Sequence, residues 1–270
     1  MKLGISSYTY TWAIGVPGSI PAQPLTALGL LDKVTALGVS VAQVADNLPL
    51  DALPAEELDA FCQAAQKRQI SVEVGTRGIA PEHLLYYLDM AQQLGSPMLR
   101  VVIDTATHKP DEAEVISTLK SIINAFEQRC VCLAIENHDR FSAMAFARIV
   151  EGVGSSAVGI CLDTVNSFGA LEGPEVVVDT LRRYVVNLHV KDFSIRRASH
   201  MMGFTIEGRP AGQGRLNVPW LLEQLAAVGR DPNAILELWT PPADDLTQTI
   251  QTEDTWAHES VAYLRQYIPN

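Results

Sequence analysis

The residues best suited to chemistry fall in four short runs in the second half of the chain. Ile135-Glu136-Asn137-His138 closes one apolar stretch, Leu162-Asp163-Thr164 a second, His189-Val190-Lys191-Asp192 a third and Leu236-Glu237 a fourth. Strand side chains alternate between faces, so Glu136 shares a face with His138, and His189 with Lys191. If the runs converge, Glu136, Asp163, His189 and Glu237 place three carboxylates and an imidazole together. Such a set repels itself and raises its own pKa values unless a cation sits among them. Oxygen-rich coordination with one imidazole suits a hard divalent ion, Mn²⁺ or Mg²⁺ first, with Zn²⁺, Co²⁺ or Fe²⁺ also compatible. Each residue alone has a plainer reading: a strand-end Glu often caps a helix or pairs with an Arg, and a lone His is often a hydrogen-bonded core residue. Four of the right type in successive apolar runs are hard to reach by accident, because an unpaired buried carboxylate is costly or forced neutral.

The elements that must position them repeat regularly. Apolar or alternating runs at Lys2–Ser6, Val41–Ala45, Ile70–Val74, Met98–Ile103, Val131–Glu136, Val158–Asp163, Val185–Val190 and Ala234–Trp239 predict eight strands. Amphipathic patterns near 24–37, 54–69, 81–94, 111–129, 141–152, 173–183, 217–228 and 247–267 predict a helix after each. Asp51 or Pro54, Pro81, Asp111 and Asn217 mark helix starts, and Gly38, Gly95 and Gly229 mark helix ends. Eight alternating pairs, one about every 34 residues, predict an α/β fold, a (β/α)₈ barrel forming one domain over 1–270. A doubly wound sheet binding a nucleotide would carry glycines after its first strand, where this chain has Ser6-Ser7-Tyr8-Thr9-Tyr10. Barrel chemistry sits where strands end, which is where the four runs place their polar residues.

Composition narrows the partners. The chain has 270 residues, 47% of them apolar, with 20 Lys and Arg against 31 Asp and Glu, a net charge of −11. That balance argues against nucleic acid or an anionic membrane as partner. No apolar span is long enough to cross a bilayer, and Gly15, Pro17, Gly18, Pro21 and Pro24 break the uncharged N-terminal stretch. A cytoplasmic protein is expected, with Cys62, Cys130, Cys132 and Cys161 as buried reduced thiols.

The four runs, with the strand pattern around them, resemble the sugar phosphate isomerase/epimerase superfamily, also described as xylose isomerase-like barrels and related to endonuclease IV. The resemblance covers essentially the whole chain. It implies a divalent ion, often Mn²⁺, held by Glu136, Asp163, His189 and Glu237, and a small sugar or keto-polyol as substrate. In the ketose 3-epimerase branch the two metal-bound glutamates also move the proton, which here implies Glu136 and Glu237. That branch commonly has a His three residues after the strand-six Asp, where this chain has Asn166. His138 instead resembles the base of the 3-dehydroshikimate dehydratases and of lyases acting on 3-keto-glycosides. The expectation is therefore an isomerase or epimerase working by proton abstraction next to a carbonyl, with β-elimination by a lyase as the alternative. His138 has a second reading, as a donor that orients Glu136 or Asp163. An endonuclease IV-like role is disfavoured by the charge, and His83, His108, His200 and His258 are not at matching strand ends.

Other candidates surround this set. Arg100 either clamps a substrate oxygen or pairs with Asp104, and Lys191 either stabilises an enolate or pairs with Asp192. Tyr8, Tyr10 and Trp12 follow the first strand and either stack on a sugar ring or pack in the core. The stretch from Asp192 to Leu216 reads as irregular and cationic, with Arg196, Arg197, Arg209 and Arg215. It suggests a lid that contacts an anion, with Arg196 and Arg215 as substrate ligands, or a contact between subunits of a homo-oligomer. Its Gly212-Gln213-Gly214 turn is a weak candidate for phosphate.

Overall fold

Alternation along the strands separates two interiors. The strands are β1 (Leu3–Ser6), β2 (Val41–Val44), β3 (Ser71–Arg77), β4 (Met98–Val102), β5 (Cys132–Glu136), β6 (Val158–Asp163), β7 (Val185–Val190), β8 (Asp192–Arg197), β9 (Phe204–Arg209) and β10 (Asn233–Leu236). In the computed structural model, which describes residues 1–269, eight of them close into a parallel barrel ordered β1-β10-β7-β6-β5-β4-β3-β2. The other two, β8 and β9, form an antiparallel hairpin. The helices are α1 (Thr11–Ile14), α2 (Ala27–Ala36), α3 (Ala55–Lys67), α4 (Pro81–Gln93), α5 (Glu112–Arg129), α6 (Ala143–Val153), α7 (Pro174–Leu181), α8 (Val218–Ala226) and α9 (Leu246–Leu264).

One alternating set of strand residues, with Leu99, Val101, Leu133, Ile135, Ile160 and Leu162 among it, belongs to the large apolar core, which also takes in the helices. On α5 the buried Val115, Leu119, Ile122, Ile123 and Phe126 follow helical spacing and supply its share. The opposite set is largely polar. It includes Gln43, Glu73, Arg100, Glu136, Asp163, Asn187 and His189, all buried. A small cluster of Met98, Ala134 and Cys161 is apolar on that side, and by the same parity so are the buried Val41, Val102 and Ile235. Barrel interiors are more often filled by branched apolar layers; here much of that space is given to hydrogen-bonded polar groups.

The predicted starts and stops are where the local chemistry requires them. Asp111 accepts from the Glu114 amide and Asn217 from the Trp220 amide, satisfying donors that a helix start leaves free. Gly38, Gly95 and Gly229 follow helices at φ of 65°, 65° and 72°. β3 runs on to Arg77 although its apolar run stops at Val74, because Gly75, Thr76 and Arg77 still pair with β4. β10 ends at Leu236, but the Glu237 amide still donates to Val190 O at 3.1 Å, so its side chain stands at the strand end as expected.

Three expectations are corrected. The stretch from Asp192 is not irregular, because Asp192–Arg197 pairs with Phe204–Arg209. Its turn has no room for phosphate: the Asp192 carboxylate accepts from the amides of Phe193, Gly212, Gly214 and Leu216 at 2.8–2.9 Å. The cysteines are free thiols, yet only Cys161 is buried; Cys62 and Cys132 are half-buried and Cys130 is exposed at the end of α5. Among the described residues, no helix is long and apolar enough to cross a membrane.

Asp192→Ala should lower unfolding stability by about 3 kcal/mol, because four amide donors lose their acceptor and those of Phe193 and Leu216 are buried. Urea denaturation measures this; a loss below about 0.5 kcal/mol, the usual size of a surface substitution, would show that the turn holds without the carboxylate.

Candidate active site

Strand register brings the four sequence-predicted residues together. Asp163 lies opposite His189 in the β6–β7 ladder, and Glu136 opposite Cys161 in β5–β6. His189 Nδ1 lies 3.5 Å from Glu136 Oε2, 3.8 Å from Asp163 Oδ2 and 3.4 Å from Glu237 Oε1. All four side chains are at most 1% exposed. Asn137 links the strand ends: its Oδ1 accepts from the Asp163 amide at 2.7 Å and its Nδ2 donates to Asp163 O at 2.9 Å.

Two buried cations balance this cluster. Lys191 Nζ lies 2.8 Å from both Asp163 Oδ2 and Glu237 Oε2. Arg100 pairs through Nε with Glu136 Oε2 and through Nη1 with Asp46 Oδ1 at 2.8 Å. Neither makes the plain alternative pair: Asp104 takes Arg140, and Asp192 is filled by backbone amides. Asn166 Nδ2 donates to Glu136 Oε1 at 2.6 Å and Ser6 Oγ to Glu237 Oε1 at 2.7 Å.

The titrations follow from these contacts. Burial pushes the Asp163 and Glu237 carboxyls up, but Lys191 and His189 outweigh it and hold both below the ordinary carboxylate range. Burial opposes the charge on Lys191, yet Asp163 and Glu237 raise its pKa. His189 is likewise raised well above its ordinary value against burial, by Cys161, Glu237 and Glu136. Burial pushes the half-buried Asp46 up, but Arg100 and Arg77 outweigh it and lower its pKa to about 2. Burial pushes the Cys161 thiol up to about 11, which makes it a poor source of thiolate.

A donor set for a metal ion is present. Asp163, His189 and Glu237 offer atoms within 4.8 Å of one another, as do Glu136, Cys161 and His189. Asp163 Oδ2, His189 Nδ1 and Glu237 Oε2 are buried without a hydrogen-bond partner; the two oxygens have only their ion pairs with Lys191. Two carboxylate oxygens and an imidazole nitrogen converging in a buried pocket suit a hard cation.

A cavity of about 340 Å³ opens on this cluster, lined by Tyr8, Trp12, Arg77, Arg100, Glu136, His138, Asn166, Lys191, Glu237, Leu238 and Trp239. His138 stands at its rim with Nδ1 3.0 Å from Asp139 Oδ2. Tyr8 donates to Asp46 Oδ2 at 3.2 Å and Trp12 Nε1 to Thr240 O at 2.8 Å, which fixes both rings on the wall. Tyr10 is core instead, with its hydroxyl on Asp254.

Arg196 and Arg215 are not brought here. Arg196 pairs with Glu207 across the hairpin, and Arg215 borders a separate hollow beside Phe193 and Trp220. The hairpin approaches the site through its backbone, since a Cβ at Gly208 would lie 2.1 Å from Trp239 O. Sequence reasoning missed Arg77, Asp46, Ser6 and Gln43. Ser6 had a signal, as a polar residue ending an apolar strand; Arg77 and Asp46 lie beyond the runs from which strands were read.

Fold and site define a class. A model of the xylose isomerase-like TIM barrel family matches residues 31–267, and the chain belongs to that family. It is 34% identical to the 3-oxo-isoapionate decarboxylase of Pectobacterium atrosepticum over 264 residues, covering 98% of this chain and 95% of that protein. The fold is also that of D-psicose 3-epimerase from Clostridium cellulolyticum H10, solved with D-tagatose (TM-score 0.72, 15% identity, 99% of each chain). A xylose isomerase-like TIM barrel protein from Mycobacterium smegmatis, solved in complex with magnesium, superposes with a TM-score of 0.70 at 13% identity and 97% of each chain.

The aromatic wall depends on one buried carboxylate. Glu253 of α9 accepts from the amides of Trp12 and Ala13, both at 3.0 Å, and burial raises its pKa to about 7. An acid whose pKa rises on folding binds its proton more tightly in the native state, so its contribution to stability falls as pH rises from about 4.5 to about 7. Thermal unfolding from pH 5 to 8 should show a shallower decline in Glu253→Gln than in the wild type; parallel curves would place the titration elsewhere.

Proposed function

We propose that the protein is a divalent-metal-dependent enzyme that forms and then protonates an enolate on a small polyhydroxylated 3-oxo acid, with release of CO₂. The observation that carries this reading is the engagement of the two glutamates. Glu136 is held at both oxygens by Arg100 and Asn166, and Glu237 by Ser6 and Lys191. Carboxylates tied to cations and donors are weak proton abstractors. Cleavage of a carbon–carbon bond needs no base, only a sink for its electrons. The 34% identity to a 3-oxo acid decarboxylase over nearly the whole chain supports the same choice, and a 3-oxo acid carries its carbonyl β to the carboxylate.

Glu136, Asp163, His189 and Glu237 would hold the ion, with Mn²⁺ or Mg²⁺ the best match to the oxygen-rich set. The magnesium complex of the M. smegmatis relative is consistent with that choice. When bound, the ion supplies Lewis acidity toward the substrate's carbonyl oxygen. The charges favour an anionic substrate. Three carboxylates face Arg100 and Lys191, while Arg77 matches Asp46. A divalent ion with a neutral imidazole leaves this centre with one net positive charge.

Lys191 supports the negative charge that develops on the carbonyl oxygen as the bond breaks. Trp12, Leu238 and Trp239 form the less polar side of the cavity. A carboxylate lying there loses hydration and is favoured to leave as neutral CO₂. The electron pair of the broken bond enters the enolate, and His138 delivers a proton to the carbon that lost CO₂.

A second reading is favoured by the place of His138, on the cavity rim with its Nδ1 3.0 Å from Asp139 Oδ2. Used in the opposite direction, the same imidazole removes a proton next to the carbonyl, giving isomerisation, epimerisation or loss of a β-substituent.

The metal-loaded protein incubated with a 3-oxo sugar acid in D₂O should release one CO₂ per turnover and place one deuterium in the product. Deuterium exchange into neutral ketoses without CO₂ release would overturn the decarboxylase reading in favour of the second. Lys191→Met should lower kcat by about 10²-fold, as removal of one charge-stabilising donor does elsewhere. Elemental analysis should find one divalent ion per chain, lost in Glu237→Ala; a wild-type protein that cannot be loaded would remove the metal from the mechanism.

A further inference from the structure

We infer that Gln43 and Glu73, which line the inside of the barrel beneath the site, are positioning residues that set the tautomer and aim of His189. This rests on the reading of His189 as a metal ligand.

β2 and β7 are not neighbours, since β1 and β10 lie between them. A contact between Gln43 and His189 therefore spans the barrel interior, and Gln43 Oε1 lies 2.7 Å from His189 Nε2. A glutamine amide can in principle present either end to an imidazole. Here its direction is dictated by what lies behind it. Gln43 Nε2 is 3.0 Å from Glu73 Oε2 and 3.0 Å from Asn187 Oδ1. A carboxylate only accepts, so the amide nitrogen must face Glu73 and the amide oxygen must face His189. The imidazole must then carry hydrogen on Nε2, and in the neutral form that ligates a metal its Nδ1 lone pair is directed at Glu136, Asp163 and Glu237.

Glu73 is itself immobilised. Asn187 Nδ2 donates to its Oε2 at 2.9 Å and Asn233 Nδ2 to its Oε1 at 2.8 Å. Gln43, Glu73 and Asn187 are at most 2% exposed, and the bonds among them and to His189 are buried. An apolar filling would pack this space at lower desolvation cost. The directional chain provides what apolar packing cannot, a single orientation of the imidazole.

The test uses the full chain with metal alone. In Zn²⁺-loaded wild type labelled with ¹⁵N-histidine, long-range ¹H–¹⁵N correlations should show His189 with hydrogen on Nε2 and Nδ1 bound. Gln43→Met should weaken Mn²⁺ binding, read by the signal of free Mn²⁺, by about 10- to 100-fold. The exchange Gln43→Glu with Glu73→Gln keeps an acceptor against Nε2 and a donor behind it, and should recover most of that affinity. A wild-type spectrum with hydrogen on Nδ1, or a folded Gln43→Met protein binding Mn²⁺ within about twofold of wild type, would overturn the inference. If Gln43→Met does not fold, the wild-type spectrum decides. A wild type that binds neither metal overturns the metal reading itself, whereas one that binds both while Gln43→Met binds equally overturns only the positioning role.

Discussion

The mouth of the barrel depends on pairing three carboxylates with cations where water hardly reaches. Glu136, Asp163 and Glu237 are each at most 1% exposed, and unpaired charges at that depth would take up protons or unfold the site. Arg100 and Lys191 prevent this from opposite sides, Arg100 through Glu136 and Lys191 through Asp163 and Glu237. The remaining imbalance falls on His189, whose pKa rises in consequence. Other features follow from it. Asp46 orients Arg100, Arg77 and Tyr8 hold Asp46, and Ser6 and Asn166 each donate to one oxygen of a glutamate.

This arrangement changes what the barrel interior is for. Branched apolar layers would stabilise the fold most simply, yet the space beneath the site holds Gln43, Glu73 and Asn187 linked to His189. Hydrophobic stabilisation is carried by the layer between strands and helices, where residues such as Phe61, Phe126 and Phe146 are almost completely buried. The two layers divide the work by strand parity: one face of each strand supports the domain, and the other presents hydrogen-bonding groups to the site. The βα loops add polar groups, with Asp46 on Arg100, Asn166 on Glu136 and His138 at the rim, and they add walls. Trp12 is pinned by Glu253 and Thr240, and Trp239 packs against the hairpin at Gly208.

Much of the fold was legible because helix and strand periodicities are local. The eight strands were placed within a few residues, and β6 and β7 at their observed bounds. The hairpin of β8 and β9 was missed because its residues include many exposed positions and show no buried face. Its arginines suggested a lid over an anion, but Arg196 is neutralised across the hairpin by Glu207. Cys130 was misread for a related reason: its neighbours are apolar, but it occupies the left-handed residue ending α5 and turns outward. Surrounding composition did not reveal that turn.

By itself the sequence determined which residue types end each strand, and alternation determined that Glu136 with His138, and His189 with Lys191, share a face. Those properties depend only on neighbours along the chain. The tertiary structure decided the partners: Ser6 with Glu237, 231 residues apart; Gln43 with His189, 146 apart; and Arg100 with Asp46 rather than Asp104. Pairings of this kind arise from ladder register and barrel closure, which bring strand ends from across the chain around one axis. A local period specifies the face on which a side chain lies, but not the side chain it will meet there.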